Sequence, residues 1–149
     1  MLIIGIDVDE TLNTMMSDIL IPYNNKYNDY LNINDFTDYD VRKFIKKECK
    51  NIFSEFCSNE FVSNIGVQPY CQDVISELSK FHNIYYVTAT SPETVFGKHQ
   101  WLSKNIQSYN SGKLIIMSDK TRFNGDVLID DHFDNLINFN GFKILLTKP

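Results

Sequence analysis

The chain has 149 residues, 43% of them hydrophobic, and a formal net charge of −5. That length suits one domain of ordinary size, or a small core carrying an insertion, with enough apolar residues for a true core. The negative balance argues against a general binder of nucleic-acid polymers or membrane surfaces, whose phosphates it would repel.

Cys49, Cys57 and Cys71 form no C-x-x-C pair, so neither a disulfide framework nor a zinc site is indicated. The apolar start is short and runs straight into acids, unlike a signal peptide, and no run approaches the ~20 apolar residues of a membrane span. A cytoplasmic protein with no membrane attachment is expected.

Residues 2–6, Leu-Ile-Ile-Gly-Ile, predict a short buried strand. Asp7 and Asp9 follow at its carboxyl end, on one side by alternation, with Val8 opposite. Two carboxylates so close repel each other and resist desolvation, so they need a cation or a raised pKa. A helix is expected from about residue 12 to 30, then a polar break over 32–38. Across 39–57, Val41, Phe44, Ile45, Cys49, Ile52, Phe53 and Phe56 have the spacing of one amphipathic helix. Arg42, Lys43, Lys46, Lys47 and Lys50 fall mainly on its other face, which reads as solvated, with phosphate steering as the alternative.

Gly66 and Pro69 precede a helix over 71–81. Strands and helices then alternate: a strand at 84–89, a helix over 92–106 with Pro92 in its first turn, and strands at 114–117 and 127–129. A short helix over 133–139 and a strand at 143–147 complete the chain. This alternation predicts an α/β fold with a doubly wound parallel sheet. The stretch of roughly seventy residues before the strand at 84 exceeds one crossover helix. Residues 13–82 are therefore expected to form an inserted all-helical cap, and residues 1–12 and 83–149 the core.

Polar residues mark the ends of three later strands: Thr88-Ala89-Thr90-Ser91, Ser118-Asp119-Lys120-Thr121 and Asp130-Asp131. In a parallel sheet these ends converge on one edge, where ligands bind. Carboxylates with few histidines favour Mg²⁺ over zinc, and a lysine and hydroxyls beside such a site suit a phosphate.

On these residues the chain resembles the haloacid dehalogenase-like phosphatase superfamily over essentially its full length. Asp7-Val8-Asp9-Glu10-Thr11 matches the first motif of that superfamily, Thr90 the second, Lys120 the third and Asp130-Asp131 the fourth. Within it the chain is most similar to the 5′(3′)-deoxyribonucleotidases. The features are Thr90-Ser91-Pro92, Lys98 ahead of Trp101, the segment around Lys120, and Leu128-Ile129-Asp130-Asp131 followed by Asp134.

The resemblance implies a Mg²⁺-dependent hydrolase of small phosphomonoesters, with a deoxynucleoside monophosphate, pyrimidine first, as substrate. Asp7 would be the nucleophile and form an aspartyl-phosphate. Asp9 would be the general acid and base, a role that calls for a raised pKa. Thr90, Ser91, Lys98 and Lys120 would bind the phosphate. The metal would be held by Asp7, the Asp9 carbonyl and Asp131, with Asp130 either a ligand or a partner of one. Glu10 stands where these enzymes often have glycine, His132 where an arginine often follows, and the segment from Pro92 to Lys98 is shorter than usual.

Among the many Phe and Tyr residues of the expected cap, Tyr39 and Phe61 are favoured to touch substrate. A sugar-phosphate or phosphoprotein phosphatase would keep every catalytic residue. A receiver-like or non-catalytic phosphate-binding domain is the remote alternative, and pairing into a homodimer stays open.

Overall fold

β1 (Ile3–Ile6) lies at the centre of a five-stranded parallel sheet in the computed structural model, which describes residues 1–146. The strand order is β3-β2-β1-β4-β5, with β2 at Asn83–Thr88, β3 at Leu114–Ile116, β4 at Val127–Asp130 and β5 at Phe142–Leu145. Ile4 sits opposite Ile84 on one side and Val127 on the other. The chain adds β2 and β3 to one side of β1, then β4 and β5 to the other. That reversal opens a crevice at the carboxyl ends of β1 and β4. The expected doubly wound parallel α/β sheet is what forms. Of the final strand expected at 143–147, Thr147 lies outside the described residues.

Between β1 and β2 lie α1 (Met15–Tyr27), α2 (Ile52–Phe56), α3 (Asn59–Ser63) and α4 (Cys71–Ser79). α5 (Val95–Asn105) joins β2 to β3, and α6 (Phe133–Ile137) joins β4 to β5. Strand alternation divides the core. Ile4, Ile84 and Tyr86 face Ile75 of α4 and Trp101 and Leu102 of α5. On the other face, Val87 and Leu128 pack with Phe123, Leu136 and Phe139. A Cβ on Gly5 would stand 2.5 Å from the Phe123 ring, so only glycine lets that ring lie against β1. A third cluster joins Met16, Ile19, Leu20 and Tyr23 of α1 to Ile45, Cys49 and Ile52. The cysteines are free, and no described helix is long and apolar enough to cross a membrane.

The single helix expected over 39–57 does not form. Its first part is one 3₁₀ turn, Val41–Lys43, capped by Asp40, and regular helix begins only at Ile52. Competing hydrogen bonds break it. The Lys46 N–H donates to the Tyr23 hydroxyl at 2.8 Å. Lys46 Nζ donates to the carbonyls of Tyr27 (2.7 Å) and Asn28 (3.1 Å) at the end of α1. Asn51 Oδ1 accepts from the N–H groups of Phe53 and Ser54, and an asparagine cap starts a new helix rather than continuing one. Ile45, Cys49 and Ile52 still reach α1, so the apolar periodicity is met by an irregular chain. Arg42 pairs with Asp40 and Lys43 with Asp38, and neither arginine nor lysine of this stretch lines a cavity described below.

Candidate active site

The Asp7 N–H donates to the Ile129 carbonyl at 2.9 Å, which continues the β1–β4 pairing one residue past the strand and carries the side chain into the crevice. Asp7 is only 6% exposed there. Lys120 Nζ lies 2.6 Å from Asp7 Oδ1 and 2.8 Å from Asp130 Oδ2. Lys120 itself is placed by a 3₁₀ turn, Lys120–Arg122, in which the Thr121 N–H donates to Asp119.

Asp130, wholly buried, also accepts from the His132 N–H at 2.8 Å and from Asn135 Nδ2 at 3.0 Å. Its oxygens are thus committed to the protein, whereas Asp131 faces the cleft. Carboxylate oxygens of Asp7, Asp130 and Asp131 all lie within 4.8 Å of one another.

Burial drives the Asp7 carboxyl up to about 7; Lys120 opposes this, and the charges of Asp130 and Asp9 reinforce it. Burial, then the charge of Asp130, lifts Asp131 to about 6. Burial pulls Lys120 down, but the two carboxylates outweigh it and its pKa ends above the ordinary value. Lys120 therefore stays a cation, and it does not fully offset the acids around it. The oxygen-only donor set suits a hard divalent cation, as does the uncompensated negative charge.

Across the cleft, Asp9 and Glu10 form the turn that leaves β1. Asn13, fully buried, holds that turn. Its Nδ2 donates to Asp9 Oδ1 at 3.0 Å, and its Oδ1 accepts from the N–H groups of Glu10 and Met15, each at 3.2 Å. Glu10 has φ 59°, in the left-handed region that glycine adopts freely, and its carboxylate accepts the Met16 N–H at the start of α1. Lys98 of α5, 1% exposed, pairs with Asp9 Oδ1. Beyond β2, the buried Thr94 hydroxyl is 2.9 Å from Thr90 Oγ1 and 3.1 Å from Ser91 Oγ.

Asp7, Asp9, Thr90, Ser91, Lys98, Lys120 and Asp131 all line one cleft of about 580 Å³, while Asp130 lies behind it. A neighbouring cavity of about 460 Å³ is lined by Ile33, Phe36, Tyr39 and Val41, and shares Glu10, Met16, Phe53 and Asp131 with the first. Of the two aromatic residues favoured from the sequence, Tyr39 lines this second cavity. Phe61 lines neither and instead packs between two core clusters, so that expectation is corrected.

Sequence reasoning missed Asn13, Thr94, Asn135 and the exposed Phe53. The two asparagines carried a readable signal: each lies four or five residues after an acid, a spacing at which a turn brings a side chain back.

The fold is shared with solved haloacid dehalogenase-like and acid phosphatase structures. A haloacid dehalogenase-like hydrolase from Xanthomonas campestris superposes with a TM-score of 0.54 over 96% of this chain and 81% of that one, at 11% identity. The class C acid phosphatase of Bacillus anthracis, solved with tungstate bound, gives 0.52 over 93% and 54%, at 12% identity. A 5′(3′)-deoxyribonucleotidase of Clostridium acetobutylicum is 36% identical over 95% of this chain and 79% of its own length. One of Bacillus subtilis is 29% identical over 99% and 86%. The family model described as "5' nucleotidase, deoxy (Pyrimidine), cytosolic type C protein" matches residues 1–149, and the chain belongs to that family. It is accordingly an enzyme, a phosphoric monoester hydrolase of the 5′-nucleotidase type.

Proposed function

We propose that this enzyme hydrolyses deoxyribonucleoside monophosphates with Mg²⁺, through an aspartyl-phosphate on Asp7. The observation that carries the reading is one cleft into which Asp7, Asp9, Asp131, Lys98, Lys120, Thr90 and Ser91 all project. The Asp7 carboxylate forms a bond to phosphorus as the bond from phosphorus to the ester oxygen breaks. Asp9 gives that oxygen its proton. Asp9 then takes a proton from water, whose oxygen attacks phosphorus, releasing phosphate and restoring Asp7.

Lys120 holds Asp7 in place. Lys98, resting against Asp9, gains a second acceptor when a phosphoryl oxygen arrives, and the hydroxyls of Thr90 and Ser91 donate beside it. Asp7, the Asp9 carbonyl and Asp131 would hold Mg²⁺, with Asp130 clamped behind them by Lys120, Asn135 and the His132 N–H. Bound there, the cation neutralises the carboxylates and the charge on the transferring phosphoryl group.

The names of the family and its relatives support a deoxynucleotide, pyrimidine first. Phe53, 41% exposed where the two cavities meet, offers a ring face to the base. The part of residues 13–82 built around the Tyr23 cluster would act as the cap over the site, while α4 packs on the sheet with the core. The free cysteines support action in the reducing cytoplasm.

The test is phosphate release with Mg²⁺ from deoxynucleotides, ribonucleotides, sugar phosphates and a phosphopeptide. Deoxynucleotides are expected to lead, with activity abolished by chelator and by Asp7→Asn. Mutant-sensitive preference for another class would remove the nucleotide reading and keep the chemistry. Base stacking of roughly 1–3 kcal/mol predicts that Phe53→Ala raises KM about tenfold and changes kcat little.

A further inference from the structure

Tyr39 departs from the pattern of its neighbours. Its hydroxyl donates to the backbone carbonyl of Asp131 at 2.6 Å, across 92 residues of sequence. Its ring lies on the His132 imidazole with centroids 3.9 Å apart. Yet the residue is 59% exposed, so it contributes little as core filler. What it contributes is at its polar end and at one ring face, and both touch the loop that carries Asp131.

The rest of that loop is held from the other direction. Asp130 is pinned by Lys120 and Asn135, and His132 Nδ1 accepts the Asp134 N–H at the start of α6. Asp131 lies between these anchors, and its carboxylate faces the cleft. The Asp131 carbonyl is held from outside the sheet, by Tyr39.

We infer that Tyr39 is a positioning residue for Asp131: a tether from the helical segment that fixes the Asp131 backbone and so aims its carboxylate at the cation. This rests on the proposed role of Asp131 as a metal ligand. Partners that orient a ligand from outside the coordination sphere characteristically change metal affinity 10–100-fold when removed. A single hydrogen bond to a backbone carbonyl belongs at the low end of that range.

The experiment is calorimetric titration of the full chain with Mg²⁺ alone, for the parent, Tyr39→Phe and Asp131→Asn, alongside kcat and KM for a deoxynucleoside monophosphate. Tyr39→Phe keeps the ring on His132 and removes only the hydroxyl. It is expected to weaken Mg²⁺ about tenfold, while kcat returns towards the parent value at saturating Mg²⁺. Asp131→Asn is expected to weaken Mg²⁺ further. Unchanged Mg²⁺ affinity in Tyr39→Phe, with weakened binding in Asp131→Asn, would overturn the inference and leave the ligand assignment standing. A lowered Tm with unchanged affinity would equally overturn it, since that is what a tether of purely structural value would give. Unchanged affinity in Asp131→Asn would remove the ligand assignment and this inference with it.

Discussion

At the scale of single residues, the site is governed by how few cations face how many buried acids. Lys120 serves both Asp7 and Asp130, so replacing it strands two desolvated carboxylates at once. Breaking a buried pair in this way typically costs about 3–5 kcal/mol. Lys120→Met is therefore expected to lose stability on that order at pH 8 without divalent cation. The loss should be smaller at pH 5, where Asp7 takes up a proton; denaturant unfolding at the two pH values measures it. Asp7, Asp9, Lys120 and Asp131 were legible in the sequence because each follows a strand, whereas Lys98 lies on α5 and was legible only through the family resemblance. The division of labour between Asp130 and Asp131 was not. It depends on which carboxylate Asn135 and the His132 N–H happen to reach, and that is a matter of loop geometry. Glu10 shows the same limit: the sequence reveals an unusual residue, and only the backbone angle shows why glycine suits that turn.

Among the elements, the close approach of α3 and α5 is sensitive to a single substitution. A Cβ on Gly97 would stand 2.5 Å from the Asn59 carbonyl oxygen, and the Gly97 N–H also donates to Asn59 Oδ1. Gly97→Ala must push the helices apart, at a cost of about 1–3 kcal/mol. Because Lys98 is the next residue, the same change is expected to lower kcat; a thermal melt and initial rates report the two effects separately. At the head of α4 the sign reverses. Tyr70 has φ 64° and is 81% exposed, so Tyr70→Gly relieves a left-handed backbone and gives up little burial. A gain on the order of 1 kcal/mol, seen as a raised Tm, is expected. Elements whose boundaries rest on apolar periodicity alone were the ones the sequence could not place. The stretch over 39–57 keeps its helical spacing of apolar residues, but Asn51 and Tyr23 supply hydrogen bonds that the periodicity does not reveal. The strands were easier, because short runs of Ile, Val and Leu between polar ends leave few other readings.

For the molecule as a whole, the raised acids make stability depend on pH in a definite direction. Asp7 and Asp131 hold protons more tightly in the folded chain, at about 7 and about 6, than at the unfolded value of 3.8. The stability they contribute is therefore complete below about 4 and is lost as pH rises through 6 and 7. Without divalent cation, the Tm is expected to fall between pH 5 and pH 8. The proposed Mg²⁺ would bind the deprotonated carboxylates, so the Tm increase it produces is expected to be larger at pH 8 than at pH 5. Equal increases at both pH values would mean that the cation binds elsewhere.

The central position of β1 also bears on how the protein is made. Its partners are β2, which begins at Asn83, and β4, which begins at Val127. β1 therefore waits for two partners far along the chain, while α1 can form from its own residues. Pairings so distant in sequence are slow to close. Helix should thus appear in refolding well before turnover, since Asp7 is aligned only when the β4 carbonyl of Ile129 accepts its N–H.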